Sequence, residues 1–129
     1  MVKRLVLISI ALFWSALACS LFNKPSTQSE RNPLLEGKFD VYGTNPNGRD
    51  YFGFAVIVYS EGKYVITWEI AGETIIGEGS WENEQFTVVY DGGEAIYTMD
   101  EFGTLTGTWH VRGISDPGSE TLAPMTLPP

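Results

Sequence analysis

Cysteine and histidine each occur once in this chain of 129 residues. One cysteine excludes a disulfide framework and a multi-cysteine zinc site, and one histidine excludes a histidine-rich metal centre. Basic residues are also few: 8 Lys and Arg stand against 16 Asp and Glu, for a net charge of −8. Binding nucleic acid requires clustered cations to neutralise phosphates, so an RNA- or DNA-binding role is disfavoured from the outset. Nor does any apolar run reach the roughly 20 residues a membrane-spanning helix needs. The longest, residues 5–18, is a stretch of fourteen interrupted by Ser9 and Ser15. The length suits one domain of modest size.

What is present begins with that run. Lys3 and Arg4 precede it and small residues, Ser15 to Ala18, end it, the layout of a secretory signal peptide. The single cysteine follows directly. Ser15-Ala16-Leu17-Ala18-Cys19 resembles the lipobox of bacterial lipoproteins. That resemblance implies cleavage before Cys19, diacylglycerol on its sulfur, further acylation such as palmitate, and a membrane partner reached through the lipid. The alternative is ordinary cleavage at Ala16-Leu17-Ala18, which leaves a free thiol. Two or three acyl chains anchor stably where one is marginal. Loss of Lys3 and Arg4 with the leader takes the charge from −8 to −10. Ser20 after the cysteine implies, by the enteric sorting rule, the outer membrane where the organism has one.

Composition divides the rest. Residues 20–34 are polar, hold Pro25 and Pro33 and show no apolar period, so 19–34 reads as lipidated cysteine and flexible tether. All 14 Gly and all 6 Tyr fall after it, which assigns the folded domain to 35–122. The proline-rich end, 123–129, reads as a disordered tail.

Inside the domain, short runs of β-branched and aromatic residues recur between glycine-bearing turns. Strands are expected near 37–42, 50–59, 64–70, 73–80, 85–90, 94–99 and 105–111, with a short one near 119–122, and no helix is needed. Such tight connections force neighbours to pair antiparallel. The fold class is therefore all-β: a small antiparallel up-and-down barrel of about eight short strands, with a two-sheet sandwich as the alternative. Closure removes both exposed edges. Alternation sets Tyr64, Ile66, Trp68 and Ile70 on one face, as it does Phe86, Val88 and Tyr90, and Leu105, Gly107, Trp109 and Val111. The segment 51–59 is apolar on both faces, as in a strand that is central or covered by a partner.

Two segments, 62–68 and 103–109, share a frame of turn glycine, four residues and Thr-Trp, which brings Trp68 and Trp109 to similar depth on the apolar face. Core packing in a repeated hairpin explains this. So does a ligand-stacking platform, whose candidate residues are Trp68, Trp109 and Tyr64. Gly77-Glu78-Gly79 leads into Ser80-Trp81 and not into a helix, so it reads as a bulge or a strand kept thin for packing, not as a phosphate loop.

Catalytic chemistry has little to draw on. His110 sits on the wet face, where a relay would need Ser80 or Ser115 brought to it. The acid pairs Glu82/Glu84 and Asp100/Glu101 read as solvated loop tips, and Asp91-Gly92-Gly93-Glu94 as a turn without the alternating oxygens of a calcium loop. No catalytic residue, metal or cofactor is assigned.

The succession from Gly37 through Tyr42, Gly43, Asn45-Pro46-Asn47-Gly48, Tyr51, Gly53, Tyr64, Thr67-Trp68 and Gly77-Glu78-Gly79 to Tyr97 and Gly103-Thr104-Leu105-Thr106-Gly107-Thr108-Trp109 is similar to a family of small exported bacterial proteins. Some members carry a fibronectin-binding label. The closing Gly118-Ser119-Glu120-Thr121-Leu122 resembles that family's Gly-Thr-Glu-x-Leu ending and supports the last short strand. The resemblance implies a fold more than a function, because its motifs are glycine and aromatic spacings. Leu105 to Trp109 also resembles a strand of avidin-type barrels, without the rest of that pattern. The expected function is a non-enzymatic binding or interaction module at a membrane surface. The alternatives are a calycin-type carrier of a small apolar ligand and a secreted hydrolase. A carrier requires a hollow interior lined by Trp68 and Trp109. An interaction module requires an exposed apolar patch, expected around Tyr42, Ile57 and Tyr59.

Overall fold

The computed structural model describes residues 29–125. The leader, Cys19 and the final proline-rich residues lie outside them. Eight strands follow one another: β1 (Gly37–Thr44), β2 (Asp50–Ser60), β3 (Lys63–Ile70), β4 (Glu73–Glu82), β5 (Gln85–Tyr90), β6 (Gly93–Met99), β7 (Leu105–Val111) and β8 (Gly118–Pro124). Each pairs antiparallel with the next, and β1 pairs with β8 from Phe39↔Pro124 to Thr44↔Ser119, so the sheet closes into an up-and-down barrel. No two-sheet sandwich forms. No helix among the described residues is long and apolar enough to cross a membrane.

Local chemistry explains the meander. Three hairpins turn on two residues that both have positive φ, Glu61-Gly62, Ala71-Gly72 and Asn83-Glu84. That backbone has the twist of the strands it joins, so the chain reverses without splaying the pair. Within strands, period-2 alternation fills the interior with Phe39, Val41, Ala55, Ile57, Tyr64, Ile66, Phe86, Val88, Leu105 and Leu122, all essentially buried. Gly77 and Gly79 lie in unbroken register opposite Ile66 and Tyr64. They are therefore not a bulge but a strand kept thin: a methyl group at Gly79 would enter the Phe86 ring.

The fold begins earlier and ends later than composition indicates. Residues 29–34, read as tether, are packed on the barrel. Asn32 caps a 3-10 turn, Pro33–Leu35, that drives Leu35 fully into the core. The Ser29 hydroxyl accepts from the Trp81 N–H at 2.7 Å and the Glu30 N–H donates to the Trp81 carbonyl at 3.1 Å. Polar sequence without a period hides this strap because one leucine and backbone hydrogen bonds hold it. At the other terminus β8 runs to Pro124, and Met125 N–H donates to the Lys38 carbonyl at 2.9 Å, so residues 123–125 are not part of a disordered tail.

The strap seals the barrel end that carries the β2–β3, β4–β5 and β6–β7 turns. The opposite end, with the β1–β2, β3–β4, β5–β6 and β7–β8 connections, is open. On the outer wall the apolar patch differs from expectation. Ile57 is 1% exposed and Tyr59 half-buried, both pointing inward, whereas Tyr42, Phe52 and Phe54 are exposed. Tyr42 and Phe52 face each other across β1 and β2 edge to face, with ring centroids 5.8 Å apart.

Candidate functional site

The open end leads into a cavity of about 340 Å³. Its walls follow from alternation on five strands, which points Tyr51 (β2), Trp68 (β3), Tyr90 (β5), Tyr97 (β6) and Trp109 (β7) inward. The rings form edge-to-face pairs, Trp68 with Tyr90 at 5.8 Å and Tyr51 with Trp109 at 6.3 Å between centroids. Glycines make room for two of them: a methyl group on Gly118 would enter the Trp109 indole, and one on Gly43 the Tyr51 ring. Ile70, Ile75 and Val111 line the mouth, where Glu73 is the acid.

At the floor lies Glu120. Among the described residues it is the one buried charged side chain, 6% exposed. Three donors from three strands converge on its carboxyl group. The Tyr51 hydroxyl donates to Oε1 at 2.8 Å, Trp68 Nε1–H to Oε2 at 3.1 Å, and the Tyr97 hydroxyl to Oε2 as well. Burial raises the Glu120 pKa above the usual carboxyl range, and the three hydrogen bonds oppose that rise in part. The same burial, followed by the Glu120 charge, keeps the hydroxyls protonated. Tyr90 is pushed up to about 12, and Tyr51 and Tyr97 are raised as well. One more polar atom is of note: the Trp109 indole N–H is buried with no hydrogen-bond partner among the described residues.

Of the residues expected to bind a ligand, Trp68 and Trp109 line this cavity. Tyr64 does not. It is fully buried toward the sealed end, packed on Tyr59 and Phe86, and its hydroxyl accepts from Asn32 N–H at 2.6 Å. Cys19 lies outside the described residues. His110 is exposed on the outer wall, opposite Glu94 in register and away from the cavity, while Ser80 lies three strands away on β4. Among the described residues no group of acidic, histidine or cysteine side chains is arranged to hold a metal ion.

Chemically, the site offers an apolar and aromatic enclosure around one oriented carboxyl group. No family model and no curated protein matches this chain. The geometry therefore carries the functional reading. Glu120, Tyr51, Tyr90 and Tyr97 escape the sequence reading as site residues, although one signal was available for the first. Glu120 has the inward parity of Gly118 and Leu122, and an acid on an apolar face is out of place unless it is partnered.

Proposed function

We propose that this protein is a non-enzymatic binding module, held at a bacterial membrane surface through an acylated Cys19, whose barrel takes one small ligand through its open end. The observation that supports the reading best is the cavity of about 340 Å³, floored by Glu120 and its hydrogen-bonded partners and open above. Its size is at the lower end of the range for small-molecule pockets, which fits a compact ligand and not a long acyl chain. Aromatic walls around one polar anchor are the usual composition of such a pocket. The similarity of the glycine and aromatic spacing to small exported bacterial proteins agrees with an envelope location.

Two measurements test the reading. An environment-sensitive apolar fluorophore is expected to bind the full chain saturably at one site and to quench tryptophan emission. Ala95 is buried on β6 and lines the cavity, so Ala95→Phe should fill it and abolish that binding while the chain stays folded. Unchanged binding in that variant would remove the cavity from the account. Anchoring is checked by feeding cells labelled palmitate: label is expected in the wild-type chain and absent from Cys19→Ala.

A second reading, docking of a protein partner, draws on the outer patch of Tyr42, Phe52 and Phe54.

A further inference from the structure

The proposed cavity reading leaves the ligand's chemistry open, and the floor of the cavity narrows it. Glu120 has only neutral donors around it: two phenols and an indole. Among the described residues no Lys, Arg or His pairs with it, and none lines the cavity. The ionised carboxylate is therefore a net negative charge under an apolar enclosure. A neutral apolar ligand gains from the aromatic walls but takes water from that charge and offers it nothing in return, so it binds more weakly than a ligand that pairs with the carboxylate. An anion would meet Glu120 and, at the mouth, Glu73.

A cation resolves both problems. Oε2 already receives two donors and Oε1 one, so Oε1 keeps a lone-pair position. Around it stand Trp68, Tyr90 and Trp109, whose ring quadrupoles attract positive charge, tryptophan most of all. We infer that the cavity binds an organic ammonium ion, a protonated amine on a compact apolar body, with its N–H on Oε1 of Glu120 and its charge among the surrounding rings. The hydrocarbon part then lies against Ile70, Ile75 and Val111 toward the mouth. This assignment rests on the cavity being a ligand site and adds the sign of the ligand's charge.

The test is a tryptophan-fluorescence titration of the full chain with three probes of one shape: phenethylammonium, phenethyl alcohol and hydrocinnamate. The ammonium is expected to bind about tenfold or more tighter than the alcohol, and hydrocinnamate most weakly. Glu120→Gln should lower ammonium affinity by about tenfold and leave that of the alcohol within about twofold. The unmodified chain provides an independent arm. The groups facing Glu120 are the hydroxyls of Tyr51, Tyr90 and Tyr97, all raised and so still protonated while Glu120 ionises, with Glu73 at the mouth. Ammonium affinity should rise with pH as Glu120 ionises and then level, while that of the alcohol should not rise. Equal affinity for all three probes, preference for the alcohol or hydrocinnamate, or an ammonium affinity indifferent to pH would overturn the ammonium assignment and leave the cavity reading standing. Failure of all three to bind would overturn both.

Discussion

Tyr64→Ala is expected to lower the free energy of unfolding by about 3–5 kcal/mol, as for truncation of other fully buried aromatic rings. The ring is 0% exposed, with centroids 4.8 Å from Tyr59 and 5.6 Å from Phe86, so neighbours cannot easily collapse into the space it leaves. Its hydroxyl also accepts from Asn32 N–H at 2.6 Å and donates to the Asn32 carbonyl at 3.2 Å, clamping the strap over the sealed end. Tyr64→Phe separates the two contributions and should cost only about 0.5–1.5 kcal/mol, the net worth of such hydrogen bonding. Urea denaturation followed by far-ultraviolet circular dichroism measures both. Because Tyr64 lies outside the cavity, Tyr64→Phe should leave probe binding unchanged. A loss below about 1 kcal/mol for Tyr64→Ala would mean that the sealed end does not unfold with the barrel.

The second large effect concerns Glu120→Ala, which removes the acceptor shared by Tyr51, Trp68 and Tyr97. Leaving buried donors unsatisfied costs about 1–3 kcal/mol per group, reduced where water can enter from the open mouth, so a net loss of about 2–3 kcal/mol is expected under mildly acidic conditions. The loss should shrink as pH rises. Burial raises the Glu120 pKa in the folded chain above its unfolded value, so between those values the folded state holds the proton that the unfolded state has released. Stability from this group is complete below the unfolded value, declines as pH rises through the folded value, and is level beyond it. Each tenfold difference in proton affinity is worth about 1.4 kcal/mol. Wild type and Glu120→Ala should therefore converge in stability over that window. A difference that grows with pH would mean that the carboxyl is held ionised more strongly than its burial implies.

The two substitutions also mark where the sequence was legible. Alternation and glycine turns located the first seven strands, because a barrel wall has period 2 and its reversals need residues that accept positive φ, whereas the last rested on the resemblance of Gly118 to Leu122 to a family's closing motif. The same parity placed Trp68 and Trp109 inside. Parity assigns a face, not a depth. Tyr64 precedes Trp68 by four residues, about 13 Å along the strand, and lies toward the sealed end. Which end is sealed depends on residues 29–35, whose polar sequence carries no periodic signal. Parity also fails where both faces are apolar: Phe52, Phe54 and Val58 turn outward while Ala55 and Ile57 turn inward, a choice made by the register of β2 with β1 and β3. The carboxyl group was visible as a letter of a closing motif. Its role emerges only when strands distant in sequence bring Tyr51, Trp68 and Tyr97 to it.

If Cys19 carries the proposed lipid, the strap also sets which way the protein looks. The chain enters the barrel at the sealed end, so a lipid on Cys19 would hold that end nearest the bilayer and direct the mouth toward the aqueous side. Nine residues lie between Cys19 and Ser29, ten Cα-to-Cα steps with a contour of at most about 35 Å. A ligand would then be captured from solution by a receptor kept within a short leash of the membrane, and not drawn out of the lipid beneath it.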